Sequence, residues 1–403
     1  VMRTPFPRRA AALSAAVAVA APALFAPTAL AGGAPTQPTP EAPKAPSVDA
    51  PESGTPGTGI ERPEVVAHRG ASGYRPEHTL AAYELAVEQG ADVIEPDLVS
   101  TKDGVLVDRH ENDITGTTDV AERPEFADRK KTKVVDGVEQ TGWFTEDFTL
   151  DELLTLRAKE RLPEVRGESA SYDGMYQVPT FAAVLMLRER LSEETGREIG
   201  IIPEIKHSTY FDEQGLSMEE KAVAQLEVMG LNTEDSVATV QSFELENLRE
   251  LNHELGLKAP TVFLSWYEGF PYDSTAAGDE VRDYAWYETE AGMREIKAAG
   301  VDVLGPELSQ IIEKTEDGAV GAETSFVDDA HRLGLEVVPY TFRAENQFLY
   351  SDFQSSEDPN EHGDMAGQIR LFLDAGIDGL FTDQPDLGVE AVDGWVEDQN
   401  RGR

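Results

Sequence analysis

Five side chains whose types could do chemistry together fall between residues 68 and 110 of the chain. They are His68, Arg69, Glu95, Asp97 and His110. Histidine titrates near neutral pH, so one imidazole can accept a proton while the other donates one. Paired carboxylates can hold a hard metal ion, and an arginine can bind two phosphate oxygens at once. This combination of residue types suits the cleavage of a phosphate ester at a metal centre.

A third carboxylate, Glu204, lies further along the chain and is followed two residues later by Lys206. Side chains two apart on a strand point the same way, so Glu95 and Asp97 should face one side, as should Glu204 and Lys206. Charged groups inside a barrel are costly unless they are paired or bound to metal. We therefore expect Glu95, Asp97 and Glu204 to form one divalent cation site. Arg69 and Lys206 suit phosphate oxygens, although an ion pair with these carboxylates is the structural alternative.

Short β-branched runs alternate with amphipathic segments from about residue 64 onward. The runs predicted as strands are Val65–His68, Asp92–Val99, Gly200–Lys206, Val237–Gln241, Pro260–Ser265, Val301–Gly305, Glu336–Thr341 and Gly376–Thr382. The segments predicted as helices lie near residues 79–89, 180–194, 217–229, 244–255, 290–299, 323–333, 363–375 and 385–395. Several of these segments end at a glycine before the next strand, which is typical of a helix C-cap.

This alternation of strands and helices predicts parallel βα units, and eight such units close a TIM (β/α)8 barrel. An open, doubly wound sheet is the alternative, but no glycine-rich dinucleotide turn follows the first strand. Catalytic groups of a barrel lie at the C-terminal ends of its strands. His68 ends the first predicted strand, and Glu204 and Lys206 end the third. The barrel would therefore bring these side chains to one mouth.

Two segments interrupt the alternation. Residues 102–104 (Lys-Asp-Gly) predict a turn that sends a short strand, Val105–Asp108, back toward His110. Residues 111–178 are polar and charged, and they predict one long insertion after the second strand, with a short helix at Leu150–Ala158. A second long loop, Trp266–Ala285, is rich in aromatic residues. Long loops in a compact barrel usually form lids or substrate walls.

The composition narrows the choice of metal and of partner. The chain has no cysteine, 76 acidic residues, 34 basic residues and a formal net charge of −42. Without thiols it has no disulfides, and any metal must be bound by oxygen or imidazole, so calcium is preferred and magnesium is the alternative. The negative charge disfavours nucleic acid and anionic membrane surfaces as partners. Cations that bind an anionic small-molecule substrate must then lie inside a cleft.

The first 62 residues do not read as part of the folded domain. Residues 1–31 combine a basic start, an apolar run and Ala29-Leu30-Ala31, which predicts a secretory signal peptide and an extracellular protein without a membrane-spanning segment. Arg8-Arg9 leaves twin-arginine export open. Residues 32–62 are rich in proline and small residues and predict a disordered linker. The barrel is expected over residues 63–395, followed by a C-terminal tail at 396–403.

Several short motifs occur in order along the barrel. They are HR at 68–69, PEHT at 76–79, EPD at 95–97, TKDG at 101–104, PEIK at 203–206, QSF at 241–243, PYT at 339–341 and LFTDQPD at 380–386. In their type and order these motifs resemble the glycerophosphodiester phosphodiesterase family, especially its periplasmic and secreted calcium-dependent branch. The matches run from about residue 64 to about residue 390, so they cover the whole predicted barrel.

The resemblance implies a TIM barrel that hydrolyses glycerophosphodiesters to sn-glycerol 3-phosphate and an alcohol. It implies His68 and His110 as the acid–base pair and Glu95, Asp97 and Glu204 as the metal ligands. It also implies Arg69 and Lys206 on the phosphate, with Glu77 supporting the site. Two residues depart from the family pattern: Glu111 stands where aspartate is common, and Arg109, which could add a basic contact, stands where apolar residues are common.

Three other functions are compatible with parts of this pattern. A phosphatidylinositol-specific phospholipase C also has two histidines on a barrel, but EPD and PEIK argue against it. A hydrolase that removes units from glycerol phosphate (teichoic acid) polymers would use the same site. An inactive secreted binding protein could keep the barrel, although the intact set of histidines and carboxylates argues against it. No oligomeric state is predicted.

The remaining polar and aromatic residues are assigned from their positions. Gln241 and Tyr340 end barrel strands and are candidates for substrate contact, whereas His78 is expected to be a structural hydrogen-bonding residue. His207 is a candidate pocket residue. The residues expected at the surface are His253, His331 and His362, and those expected to wall an alcohol pocket are Trp266, Tyr267 and Phe342.

Overall fold

The computed structural model of the protein describes residues 62–276 and 282–402. The proposed signal peptide, residues 1–31, and the proposed linker up to residue 61 lie outside these described residues. Arg62, the first of them, forms ion pairs with Asp92 at 2.6 Å and with Asp393 at 2.7 Å. The described chain is therefore anchored from its first residue.

The strands of the described ranges are short, and ten of the fifteen build one barrel. In chain order the fifteen strands are β1 (Glu64–Ala67), β2 (Val93–Ile94), β3 (Asp97–Ser100), β4 (Leu106–Asp108), β5 (Lys131–Val135), β6 (Val138–Gly142), β7 (Gly200–Ile201), β8 (Glu204–Ile205), β9 (Val240–Ser242), β10 (Thr261–Ser265), β11 (Val303–Pro306), β12 (Ile312–Lys314), β13 (Val320–Glu323), β14 (Glu336–Val337) and β15 (Gly379–Thr382). The ten barrel strands are β1, β2, β3, β7, β8, β9, β10, β11, β14 and β15, and all their mutual pairings are parallel.

Helices follow the barrel strands, and the predicted helical segments are confirmed to within a few residues. In chain order the α-helices of the described ranges are α1 (Leu80–Glu88), α2 (Leu150–Leu153), α3 (Gly167–Ala170), α4 (Phe181–Thr195), α5 (Ser208–Glu213), α6 (Glu219–Val228), α7 (Leu245–His253), α8 (Tyr272–Ala276), α9 (Tyr284–Tyr287), α10 (Glu290–Ala298), α11 (Phe326–Arg332), α12 (Met365–Asp374) and α13 (Pro385–Arg401). Thr79, Thr180 and Thr289 are N-caps whose hydroxyls accept a backbone N–H, which explains where α1, α4 and α10 begin. Helix α13 continues through the predicted tail to Arg401, and Arg370 on α12 donates to Asp398 in its last turns at 2.7 Å.

The barrel closes between its last and first strands. β15 pairs with β1, aligning Leu380 with Val65, and the backbone N–H of Phe381 donates to the carbonyl of Pro339, just after β14, at 3.0 Å. An isolated parallel bridge between Phe342 and Thr382 extends this contact. The fold is therefore the expected α/β TIM barrel, and the open-sheet alternative is wrong.

Two predicted strands are each divided by a proline. Pro96 separates β2 from β3, and Pro203 separates β7 from β8, because proline has no N–H to donate to the ladder. Both proline carbonyls still accept: Glu204 N donates to Pro96 at 2.9 Å, and Gln241 N donates to Pro203 at 2.9 Å. The strand order and register therefore continue across both interruptions.

Side chains alternate between the two faces of the barrel as the period of two predicts. Ile94, Leu98, Ile201 and Ile205 are buried in the large apolar core that also contains the helix faces. A second apolar cluster fills the inside of the barrel and consists of Val66, Val93, Ile202, Val262, Leu264, Val303 and Phe381. The next inward-facing positions along these strands carry the polar residues of the candidate site.

The insertion at 111–178 contains a hairpin that the sequence analysis does not identify. β5 and β6 pair antiparallel around Asp136 and Gly137, both of which have positive φ (47° and 77°). The helix predicted at Leu150–Ala158 is confined to α2, because Ala158 forms a backbone bridge with Thr118 and Lys159 N donates to Thr117 O.

Within the described ranges, none of the helices has the length and hydropathy needed to cross a bilayer.

Candidate active site

Three buried carboxylates meet at the C-terminal ends of neighbouring barrel strands. The register places Asp97 beside Glu204 and Glu204 beside Gln241, and Glu95 lies two residues before Asp97. One carboxylate oxygen from each of Glu95, Asp97 and Glu204 lies within 4.8 Å of the others. The sequence prediction that these three residues face the same point is confirmed.

The electrostatics of this cluster fit a divalent cation. Burial and the nearby Asp97 carboxylate hold the pKa of Glu95 well above its usual range. Burial also raises the pKa of Glu204 to about 7. Asp97 Oδ1 is buried and has no hydrogen-bond partner. A hard cation would relieve the repulsion among these groups and satisfy that oxygen, so the donor set suits a metal of the calcium or magnesium type.

Each carboxylate is also held by a neighbour that fixes its orientation. Gln241 Nε2 donates to Glu95 Oε1 at 2.8 Å, and Lys206 Nζ lies 3.0 Å from Glu204 Oε1. His78 Nε2 lies 2.9 Å from Asp97 Oδ2, and its Nδ1 lies 2.9 Å from the Tyr83 hydroxyl. His78 is therefore a buried hydrogen-bonding residue, as expected.

His68 extends beside the carboxylates from the end of β1. Its Nδ1 lies 2.5 Å from Asp383 Oδ1, and its Nε2 lies 3.9 Å from Glu95 Oε2. Burial and the charge of Arg69 lower the pKa of His68 to about 4, so the imidazole is neutral at neutral pH. Its Nε2 therefore faces the cluster, while Nδ1 is bound from behind.

His110 has the same kind of support. Its Nδ1 lies 3.0 Å from Glu111 Oε1. Burial, Arg69 and Lys206 lower the pKa of His110 to about 3. Both histidines are thus neutral imidazoles with a carboxylate at Nδ1.

Both histidines line one cavity of about 600 Å³. Eight of the ten predicted site residues line it: His68, Arg69, Glu95, His110, Glu204, Lys206, Gln241 and Tyr340. The remaining two support the site from outside the cavity wall: Asp97 completes the carboxylate cluster, and Glu77 Oε2 accepts from Arg69 Nη1 at 3.2 Å. The predicted set is therefore brought together at one place.

Arg69 pairs with the carboxylates and also lines the cavity. Its backbone N–H donates to Glu95 Oε2 at 2.9 Å, and its Nε lies 3.7 Å from Asp97 Oδ2. It lines the cavity, as Lys206 does. The ion pairs therefore leave each side chain at the cavity wall, and each guanidinium or ammonium group has several donors.

Backbone strain is concentrated around this cluster. In the described part of the chain, the non-glycine residues with left-handed φ are Arg69, His78, Asp136 and His207. Such a conformation costs roughly 1–3 kcal/mol and is kept where the surroundings require it. Arg69 and His78 contact the carboxylate cluster directly.

The sequence analysis misses the residues that hold His68 from behind. Asp383 accepts from Arg166 Nη2 at 2.6 Å and from Arg343 Nε at 2.9 Å. Although burial opposes ionisation, these two arginines hold the pKa of Asp383 well below its usual range. Asp383 directly follows β15, so the strand-end rule that selects His68 would have selected it too.

Three other expectations are corrected. Arg109 adds no contact in the cavity, because it is fully buried and donates to the backbone carbonyls of Glu77 and His78 at 3.0 and 2.6 Å. Phe342 is a core residue whose ring packs on Phe372 with centroids 5.2 Å apart. Tyr267 is 53% exposed and packs outside the cavity against Trp266, whose ring is tilted by 38° to its own and does line the cavity.

The surface and strand-end residues are placed as follows. His253, His331 and His362 are exposed, which confirms their assignment. Tyr340 lines the cavity with its ring, while its hydroxyl donates to the backbone carbonyl of Ser265 at 2.7 Å. His207 lines a second cavity of about 250 Å³ that shares Glu204, Lys206 and Phe243 with the first.

Solved structures share this architecture. A glycerophosphoryl diester phosphodiesterase structure from Silicibacter pomeroyi matches with a TM-score of 0.58 at 20% identity, over 85% of this chain and 96% of that one. A phosphodiesterase from Oleispira antarctica, solved in complex with the product sn-glycerol-3-phosphate, matches with a TM-score of 0.52 at 20% identity, over 82% and 97% of the two chains. At this identity the two likenesses establish the barrel fold.

Sequence comparison places the chain in a family. A glycerophosphodiester phosphodiesterase of Arabidopsis thaliana is 36% identical over 335 residues, which cover 80% of this chain and 84% of that protein. One from Haemophilus influenzae is 30% identical over 348 residues, covering 82% and 90%. The family profile itself matches residues 68–387, from the first histidine of the site to the start of the last helix. The chain therefore belongs to the glycerophosphoryl diester phosphodiesterase family.

Proposed function

We propose that this enzyme hydrolyses glycerophosphodiesters to sn-glycerol 3-phosphate and an alcohol, with His68 and His110 as the acid–base pair. The observation that carries the proposal is one cavity lined by two neutral histidines beside the three-carboxylate cluster. The names of the curated relatives support the same substrate class. An inactive binding protein would have no need of this costly set of buried charges.

Glu95, Asp97 and Glu204 would hold the divalent cation. Calcium is the proposed ion and magnesium the alternative, because every donor in the cluster is a carboxylate oxygen. When bound, such an ion supplies Lewis-acid polarisation of the substrate oxygens and neutralises developing charge.

The histidines move the protons. One imidazole accepts the hydroxyl proton of the nucleophile, which is water or the 2-hydroxyl of the substrate's own glycerol, as its oxygen bonds to phosphorus. The other imidazole, after taking a proton from solvent, gives it to the alcohol oxygen as the P–O bond breaks. With water the product is sn-glycerol 3-phosphate directly; with the 2-hydroxyl it is a cyclic glycerol phosphate, which water then opens to sn-glycerol 3-phosphate as the ring P–O bond breaks. Asp383 and Glu111 stabilise the imidazolium form of His68 and His110, since each lies at Nδ1. The phosphate oxygens are bound by Arg69 and Lys206, whose side chains reach the cavity.

We also propose that the enzyme acts outside the cell. The support is the basic start, apolar run and Ala29-Leu30-Ala31 pattern of the first 31 residues. Protein collected from the culture medium should begin at Gly32, and a full-length product retained in the cell would contradict this.

The reaction itself is tested by product identification. The protein, stripped with a chelator, is incubated with glycerophosphocholine, glycerophosphoethanolamine, bis-glycerophosphate and a glycerol phosphate oligomer, with and without calcium or magnesium. We expect sn-glycerol 3-phosphate and the free alcohol only when a metal is restored. Full turnover in excess chelator would remove the metal from the proposal, and no turnover of any diester would overturn the function.

The two histidines are tested by substitution. We expect His68→Ala and His110→Ala each to lower kcat by about 10²–10⁴-fold, because each removes one proton carrier. His253→Ala, at an exposed histidine, is the matched control and should retain activity. Near-wild-type kcat in either site variant, with a wild-type melting temperature, would exclude that residue as acid or base.

A further inference from the structure

A row of four side chains runs from the cavity into the insertion. His110 Nδ1 lies 3.0 Å from Glu111 Oε1, and Glu111 Oε2 lies 3.0 Å from His207 Nε2. His207 Nδ1 in turn lies 2.6 Å from Asp136 Oδ2. Each ring nitrogen of His207 is therefore bound to a different carboxylate, and one of these carboxylates also binds His110.

The members of this row come from three separate parts of the fold. Glu111 directly follows His110, at the start of the insertion. His207 lies just beyond Lys206, at the C-terminal end of the barrel strand that carries Glu204. Asp136 lies 71 residues from His207 in sequence, at the turn between β5 and β6. Tertiary structure alone brings them into contact.

The conformation of His207 is held against a local preference. His207 has left-handed φ at 53°, whereas the 47° of Asp136 is usual for the first central residue of an Asp-Gly hairpin turn. Two other non-glycine residues of the described chain with left-handed φ, Arg69 and His78, contact the carboxylate cluster. Strain of this kind is concentrated at functional sites, where packing and hydrogen bonds fix a required geometry.

Charge along the row alternates. Although burial opposes it, the hydrogen bonds to Asp136 and Glu111 raise the pKa of His207 to about 10, so the ring is an imidazolium at neutral pH. The two histidines and Lys206 hold the pKa of Glu111 well below its usual range. Glu111 is thus a carboxylate held between a cation on one oxygen and the His110 ring on the other.

The length of Glu111 matters to this arrangement. A glutamate can place Oε1 on its own neighbour His110 and Oε2 on His207, which is what the distances record. An aspartate, one carbon shorter, could reach His110 but would lose the second contact. His207 and Glu111 therefore form one hydrogen-bonded device that holds His110.

We propose that His207 is a positioning residue for His110, acting through Glu111, and that the β5–β6 hairpin belongs to this device by supplying the anchor Asp136. This rests on the proposed function, in which His110 transfers a proton. Glu111 fixes the tautomer and orientation of the His110 ring, and His207 fixes Glu111. The insertion is then part of the catalytic apparatus.

The first test is a double-mutant cycle on the full protein. His207→Asn suits the left-handed backbone but is too short to bridge both carboxylates. We expect His207→Asn and Glu111→Asp each to lower kcat roughly 10- to 100-fold with KM within about twofold, which is less than loss of a proton carrier costs. The double variant should be no worse than the poorer single variant, because both substitutions break the same path.

The matched control is His331→Asn. His331 is exposed and lies 2.8 Å from Asp378, so the substitution removes a similar histidine–aspartate pair away from the cavity. Its kcat should stay at the wild-type value. Equal kcat in His207→Asn and wild type, or additive losses in the double variant, would overturn the proposal.

A second readout does not depend on turnover. In nitrogen-15 spectra of the histidine side chains, the His110 ring should carry its proton on Nδ1 in the wild type and become a mixture of tautomers in His207→Asn. An unchanged His110 tautomer would overturn the proposal whatever the substrate. If wild type hydrolyses no diester but His110 still responds to His207, the proposed function fails while the positioning contact stands.

Discussion

Both candidate catalytic histidines have a carboxylate at Nδ1. Asp383 occupies this place for His68, and Glu111 does so for His110. A carboxylate there favours the tautomer whose Nε2 is unprotonated and free to accept a proton, and it stabilises the imidazolium that forms afterwards. The proposed proton transfer would therefore depend on residues that do not line the cavity.

This dependence can be measured at Asp383. We expect Asp383→Asn to lower kcat by roughly 100-fold or more with little change in KM, because an amide can hold the wrong tautomer of His68. The substitution leaves Arg166 and Arg343 without a counter-charge, so melting temperature must be followed as well. Asp378→Asn, at a half-buried position away from the cavity where the carboxylate also contacts a histidine, is the control.

The interpretation depends on whether the substitution changes kcat or the melting temperature. A folded Asp383→Asn variant with wild-type kcat would show that Asp383 serves only to bury the arginines. A loss of kcat at preserved melting temperature assigns it to His68.

Residue chemistry predicts the inner part of the site well and its support poorly. His68, Glu95, Asp97, His110 and Glu204 follow from residue type and strand periodicity, and the structure gathers them. The supports depend on contacts between distant segments: Asp383 is 315 residues from His68, and Asp136 is 71 residues from His207. Local sequence patterns do not predict such long-range pairs, although Asp383 directly follows a strand and Asp136 lies in the turn between two strands.

At the scale of elements, the strand register places the acids. The pairing of Asp97 with Glu204, and of Glu204 with Gln241, sets three polar side chains side by side at one level of the barrel. Sequence periodicity predicts which face they take, but the breaks at Pro96 and Pro203 were not predicted. Those breaks do not shift the three side chains relative to one another, since both proline carbonyls still accept a backbone N–H.

The β5–β6 hairpin is one of the elements that sequence reasoning missed. Its Asp-Gly turn is a strong hairpin signal, but the flanking strands are polar and mostly exposed, so they lack alternating hydrophobic residues. Only tertiary contacts distinguish this hairpin from a surface loop. One of them is the bond from Asp136 to His207.

The turn offers a test of the hairpin as a whole. Gly137 has φ of +77°, so Gly137→Ala should strain the turn and displace Asp136. We expect a fall in stability of about 1 kcal/mol and a fall in kcat of severalfold. Gly256→Ala, at φ of +74° with open space around it, carries the same strain away from the cavity and should lower stability alone. Equal kcat in the two variants would separate the hairpin from catalysis.

At the scale of the whole molecule, the charge distribution follows the expectation from composition. The chain has a formal net charge of −42, yet the cavity is lined by several cations. These are Arg69, Arg161, Lys206, Lys314 and Arg343. Glu95, Glu204 and Glu307 line the same wall, so these cations are placed among carboxylates in a strongly acidic protein.

The free energy of unfolding of the whole protein should depend on the ionisation of His207 at alkaline pH. Its folded pKa of about 10 lies above the ordinary value of 6.5, so its contribution is complete below pH 6.5 and is lost as pH rises through 10. The melting temperature of wild type should therefore exceed that of His207→Asn by a margin that shrinks between pH 6.5 and pH 10. Each kcal/mol lost corresponds to about 2–4 °C for a domain of roughly 150–250 residues, and to less for this larger one. A constant margin in scanning calorimetry would show that the ring is not charged in the folded state.

The two ion pairs that fix Arg62 also determine how this enzyme can be attached to a support. Arg62 is fixed by Asp92 and Asp393 just before β1, and β1 then runs toward His68 at the open mouth. Anything joined upstream of residue 62 is consequently tethered at the far end of the barrel from the cavity. Immobilisation through that side should leave the mouth facing the solution.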